Sequence, residues 1–148
     1  MVWYNMVWHH PSNIMVKILI IEDDPLIARM YEEAFKLSGY EVEMALNGEK
    51  GFQKLQEMKP KPTLILMDVM MPKMNGLQLL ERIKKDPEIQ NIPVVMLTNL
   101  ADEEGQKKAL ALGAATYMVK SEHTPKAVVQ KVKELIANSP EKSNETVS

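Results

Sequence analysis

Two apolar rhythms alternate along the chain. Short runs with almost no polar interruption occur at Lys17–Ile21 (KILII), Thr63–Met67 (TLILM), Pro93–Leu97 (PVVML) and Thr116–Val119 (TYMV), with a weaker one at Val42–Ala45. Runs of four or five residues are too short for helices and predict strands covered on both faces. Between them the apolar positions take helical spacing: Ile27, Met30, Tyr31, Ala34 and Phe35, then Phe52, Leu55 and Met58, then Leu77, Leu80 and Ile83, and last Val128, Val132, Leu135 and Ile136. Ala101–Leu112 is also predicted helical, but its first half, ADEEGQKK, offers few groups to a core, so it should be loosely held. Stop and start signals agree with these segments. Asp24 before Pro25, Asn47, Asn75 before Gly76, and Thr124 before Pro125 are N-caps, while Gly39, Pro60, Pro62 and Gly113 end helices.

Strand then helix, repeated five times, implies a parallel sheet with helices on both faces and right-handed crossovers. The fold class is therefore α/β, doubly wound, with the common five-strand order 2-1-3-4-5 and its switch point between strands 1 and 3. The 148 residues suffice for one domain. It is expected over 15–137. Residues 1–14 (MVWYNMVWHHPSNI) read as an extension outside the fold, and 138–148, ending SPEKSNETVS, as a disordered tail.

Composition narrows the partners only slightly. A net charge of −2 gives no general attraction to nucleic acid or to an anionic membrane, and neither is expected as a partner. There is no cysteine for disulfides or thiolate metal sites, and no apolar run nears the roughly 20 residues that span a bilayer. With no signal-peptide pattern at the start, a cytoplasmic location is expected. The His9-His10 pair on the extension is too weak a metal site to use.

The candidate chemistry sits where predicted strands end. Asp68 follows the central strand, Glu22-Asp23 follow the first, Thr98 the fourth and Lys120 the fifth. Each alone reads as a turn or cap residue, and Asp24 is kept as one. Together they share one edge of a sheet whose carboxyl ends form the ligand-binding crevice. Three adjacent carboxylates must share a proton or bind a cation, and Mg²⁺, or Mn²⁺ in its place, suits carboxylates with a backbone carbonyl. A hydroxyl from Thr98 and a fixed charge from Lys120 complete a phosphoryl site with Asp68 as nucleophile. Met67, Met70, Met71 and Met74 around it read as soft gap-fillers.

At these positions the chain resembles the receiver domain of two-component response regulators, the CheY-like family with a flavodoxin-like (βα)5 fold, over roughly Val16 to Ala137. The resemblance rests on Glu22-Asp23, on Asp68 with Met71-Pro72 and Gly76, on Thr98, and on Tyr117 three before Lys120. It implies a single-domain phosphoacceptor switch, with autophosphorylation from small donors and autodephosphorylation as its only activities. Asp68 would accept phosphate from a histidine kinase or phosphotransfer protein. Asp23, Asp68 and the Met70 carbonyl would bind Mg²⁺ directly, and Glu22 through water. Thr98 and Tyr117 would carry the switch to a target protein on the face of the fourth helix, fifth strand and fifth helix, with homodimerisation left open. Two positions depart from the family pattern: Ser121 replaces the cis proline after Lys120, and Asn99 replaces a small residue. A cis bond before a non-proline costs about 2.5–4 kcal/mol, so Lys120–Ser121 is expected trans. Competing readings are an aspartate-nucleophile phosphatase of haloacid-dehalogenase type, a flavin or nucleotide binder, and a degenerate receiver acting only by protein binding. The first lacks its second acid, since Met70 stands two residues after Asp68, and the second lacks a glycine-rich loop after Ile21.

Overall fold

A computed structural model describes residues 15–99 and 101–138. The expectations for 1–14 and 139–148 lie outside the described residues. Five strands, β1 (Lys17–Ile21), β2 (Glu41–Ala45), β3 (Leu64–Met67), β4 (Val94–Thr98) and β5 (Thr116–Val119), alternate with α1 (Pro25–Leu37), α2 (Gly48–Glu57), α3 (Gly76–Lys84), α4 (Glu103–Ala111) and α5 (Pro125–Ala137). All strand pairs are parallel and the order is β2-β1-β3-β4-β5, as the alternating pattern predicts.

Successive strand residues point to opposite faces, which divides the core in two. Leu19, Ile21, Ile65, Met67, Val94 and Met96 join Leu55 of α2, Leu79, Leu80 and Ile83 of α3, and Ala109 of α4 on one face. Ile18, Ile20, Leu64, Leu66, Val95 and Leu97 join Tyr31 and Phe35 of α1 and Val128, Val129 and Val132 of α5 on the other.

The predicted caps are made. Asp24 accepts from Leu26 and Ile27 N–H, Asn47 from Lys50, Thr124 from Ala127, and Asn75 forms a reciprocal capping box with Gln78. Some helical faces need correction. Met30 is 43 % exposed, and Ala28 takes the inward place in its turn; Leu79 is buried where Leu77 is only partly so. Three-residue spacing leaves the rotation of a short helix uncertain by a residue, and packing decided it. In α4 the buried residue is Ala109, which agrees with a weakly anchored helix.

Candidate functional site

Register places the chemistry. Ile21 of β1 pairs with Met67 of β3, so the next residues, Glu22 and Asp68, leave adjacent strands at the same level. The Asp68 N–H donates to the Ile21 carbonyl at 3.0 Å, which pins the strand end. Thr98, the last residue of β4, pairs with Val119 of β5, and Lys120 follows directly. All five candidate residues therefore lie at the carboxyl edge of β1, β3, β4 and β5, beside the predicted switch point.

Glu22, Asp23 and Asp68 each offer a carboxylate oxygen, and these atoms lie within 4.8 Å of one another. Glu22 and Asp68 are buried, at 5 % and 6 % exposure. The Lys120 ammonium donates to Glu22 Oε1 at 2.6 Å and to Asp68 Oδ2 at 3.2 Å. This direct Lys120–Glu22 pair was not foreseen; residues 98 apart in sequence carry no local signal of it. The remaining carboxylate oxygens face backbone: Glu22 Oε2 accepts from Asp24 N–H at 3.1 Å, and Asp68 Oδ1 from Met70 N–H at 3.2 Å. Thr98 is fully buried and Tyr117 is 9 % exposed. The donor set is all hard oxygen around a concentration of negative charge, which fits a small divalent cation.

The loop after Asp68 is held from two sides. Met74 N–H donates to the Pro72 carbonyl, and Lys73 between them sits at φ 70°, a left-handed conformation that the sequence did not announce. Gly76 opens α3 against the strand end, where an added Cβ would overlap the Asp68 carbonyl oxygen and come within 2.9 Å of Val69 Cα. Across the loop, a Cβ on Gly48 would lie 2.9 Å from the Met74 carbonyl oxygen, and Arg82 stacks 4.0 Å above the Phe52 ring. The gap-filling reading holds for Met67 and Met71, which are core, and fails for Met70, which is 59 % exposed. The Lys120–Ser121 bond is trans, within a 3-10 turn from Lys120 to Glu122.

Burial pushes the Glu22 carboxyl above its ordinary 4.5, and the Lys120 hydrogen bond reverses only part of that. Burial alone would lower Lys120, but Glu22 and Asp68 hold it above 10.5. Both groups thus bind protons more tightly folded than unfolded. The stability linked to Glu22 is fully present below pH 4.5 and lost as pH rises through its raised value; that of Lys120 persists to 10.5 and is lost above it. Without a bound metal, ionised Glu22 is buried at a cost to the folded chain that the Lys120 hydrogen bond offsets only in part. Glu22→Gln is expected to raise its melting temperature by roughly 2–4 °C, which corresponds to about 1 kcal/mol at this size. A lower melting temperature would mean that the Lys120 pair outweighs burial.

Comparison with known proteins bears on this arrangement. The family model for the response regulator receiver domain matches residues 18–133. The chemotaxis protein CheY of Treponema pallidum is 36 % identical over 111 residues, covering 74 % of this chain and 76 % of that protein. The gliding motility regulatory protein of Myxococcus xanthus is 37 % identical over 126 residues, or 84 % of this chain. The chain spans only 16 % of that relative's length, and about half, 51 % and 54 %, of two transcriptional regulators it also matches. A CheY-like receiver domain from Methanospirillum hungatei superposes with a TM-score of 0.77 at 30 % identity, covering 88 % of this chain and 98 % of that one.

Proposed function

The chain belongs to the response regulator receiver family of two-component signalling, and from that premise we propose that Asp68 accepts a phosphoryl group from a histidine kinase or phosphotransfer protein. The observation that carries this reading is the Asp68 carboxylate itself, buried at a strand end, 3.2 Å from the Lys120 ammonium and within reach of two further carboxylates.

Asp23, Asp68 and the Met70 carbonyl would hold Mg²⁺, or Mn²⁺ in its place, directly, and Glu22 through water. When bound, the ion supplies positive charge that offsets the phosphoryl oxygens. Met70 N–H orients one oxygen of Asp68 and leaves the other to attack phosphorus in line. As the Asp68–phosphate bond forms, the donor's phosphorus–nitrogen bond breaks and its imidazole departs. Lys120 then turns from the carboxylates to the phosphoryl group, within the reach of its flexible stem. Thr98 donates its hydroxyl to a phosphoryl oxygen, and Tyr117 repacks against α4. The receiver unit is taken as 15–137, working in the cytoplasm, where it would control a partner through α4, β5 and α5. The phosphatase alternative has no second acid, because Met70 stands in that position.

Amide exchange with and without beryllofluoride and Mg²⁺ tests the switch. Exchange should change most between Asn99 and Val119, because Ala109 is the buried anchor of α4 and such elements open at low cost. A change confined to α1 and α2, or none, would refute the proposed output face.

A further inference from the structure

Helix α1 is apolar on two opposite sides. Ala28, Tyr31 and Phe35 face the core, as a surface helix requires, but Leu26, Met30 and Leu37 lie on the far side and are 80 %, 43 % and 89 % exposed. At the helical period these three fall within roughly 40° of one another, so they form one stripe along the outer face. Single exposed leucines are ordinary on a protein surface, whereas three large apolar groups aligned on one helix mark a face that something covers. Their exposure shows that no described residue does so.

Residues 1–14 have the matching chemistry. MVWYNMVWHHPSNI contains no Asp, Glu, Lys or Arg in a chain that is 26 % charged, and it holds both tryptophans together with Val2, Tyr4, Met6 and Val7. Removing such groups from water is favourable wherever an apolar surface lies within reach. The stripe is within reach. Val16 packs against the cluster that contains Tyr31 and Phe35, and its carbonyl accepts from Glu41 N–H at 2.9 Å, so the chain enters the fold beside the end of α1 that carries Leu37. From Leu37 to Leu26 the helix rises roughly 17 Å, while 14 extended residues span up to roughly 46 Å. A tethered segment also meets the stripe at an effective concentration on the order of millimolar, which a separate protein must match by affinity. We propose that residues 1–14 pack across the outer face of α1, with Trp3 and Trp8 against Leu26, Met30 and Leu37. Leu26 stands in the first turn of α1, three residues past Asp23, so the packed segment borders the carboxylate edge of the sheet.

Tryptophan fluorescence of the full chain tests this, because the two tryptophans of the sequence both lie in the segment and report on it alone. In wild type, acrylamide should quench them poorly. The double variant Leu26→Lys, Leu37→Lys should raise the quenching constant at least about twofold and shift the emission to the red, since losing two buried leucine contacts lowers the packed population about tenfold or more. Both side chains point away from the core, so the substitutions leave the fold intact. Leu46→Lys, at an exposed leucine just past β2, should change neither reading. Equal quenching in wild type and double variant would overturn the proposal, as would an effect of Leu46→Lys that matches the double variant's. Protection should also survive an about hundredfold dilution of the protein. Its loss on dilution would assign the contact to a second copy of the chain and overturn packing within one molecule.

Discussion

Asp68→Asn should abolish labelling by acetyl phosphate. With Mg²⁺ present, intact mass of the wild type should gain one phosphoryl adduct, and the variant's labelling rate should fall by more than about a hundredfold. An amide oxygen is a poor nucleophile, and the neighbouring acids cannot take over. Glu22 Oε1 is engaged by Lys120 at 2.6 Å and its other oxygen by Asp24, while Asp23 is the most open of the three and lacks the backbone contact that orients Asp68. Omitting the metal should matter nearly as much, because clustered carboxylates repel an anionic donor when only one ammonium stands among them. An adduct that persists in Asp68→Asn, or that forms equally fast in EDTA, would sink the assignment of the acceptor.

The second large effect concerns stability. Gly76→Ala adds one methyl group where its carbon would overlap the Asp68 carbonyl oxygen and crowd the Asp68 carbonyl carbon and Val69 Cα, and all three obstructing atoms are backbone. No rotamer change can relieve that contact. Either α3 shifts away, breaking the 2.8 Å bond from Gly76 N–H to the Val69 carbonyl and loosening the capping box, or the end of β3 moves. We expect a loss of about 1–3 kcal/mol in urea unfolding, the range for overpacking a tight site, and toward its upper end because the obstruction is backbone. A loss below about 1 kcal/mol would mean that the loop yields easily. Moving the Asp68 carbonyl also moves the carboxylate, so phosphoryl labelling should slow in the folded fraction.

The parts of this molecule legible in the sequence are those set by local rules. Asp24, Asn47, Asn75 and Thr124 cap helices because a short polar side chain before a helical segment has one obvious use, and KILII and TLILM can only be strands buried on both faces. The strand ends then bring Glu22, Asp68, Thr98 and Lys120 to one edge without further information. What could not be read depends on distance or rotation. The pairing of Lys120 with Glu22 spans the chain, the turn of α1 that exposes Met30 and buries Ala28 is decided by neighbours, and the left-handed Lys73 is forced by its loop. Gly76 was visible as a residue of the motif, but the reason it must be glycine appears only when α3 lies on the backbone of Asp68.

Because every candidate group stands at the carboxyl ends of the strands, the opposite pole of the molecule is free for engineering. The returns from helix to strand run there, and at the Ser38-Gly39 turn an added Cβ would meet nothing within 4 Å. A circular permutant opened at that turn would keep each strand's register while placing its new ends at the far pole from Asp68. Reporters fused to such ends would flank the sheet without obstructing the acceptor, and at the edge opposite β5 they would leave the face of α4, β5 and α5 uncovered.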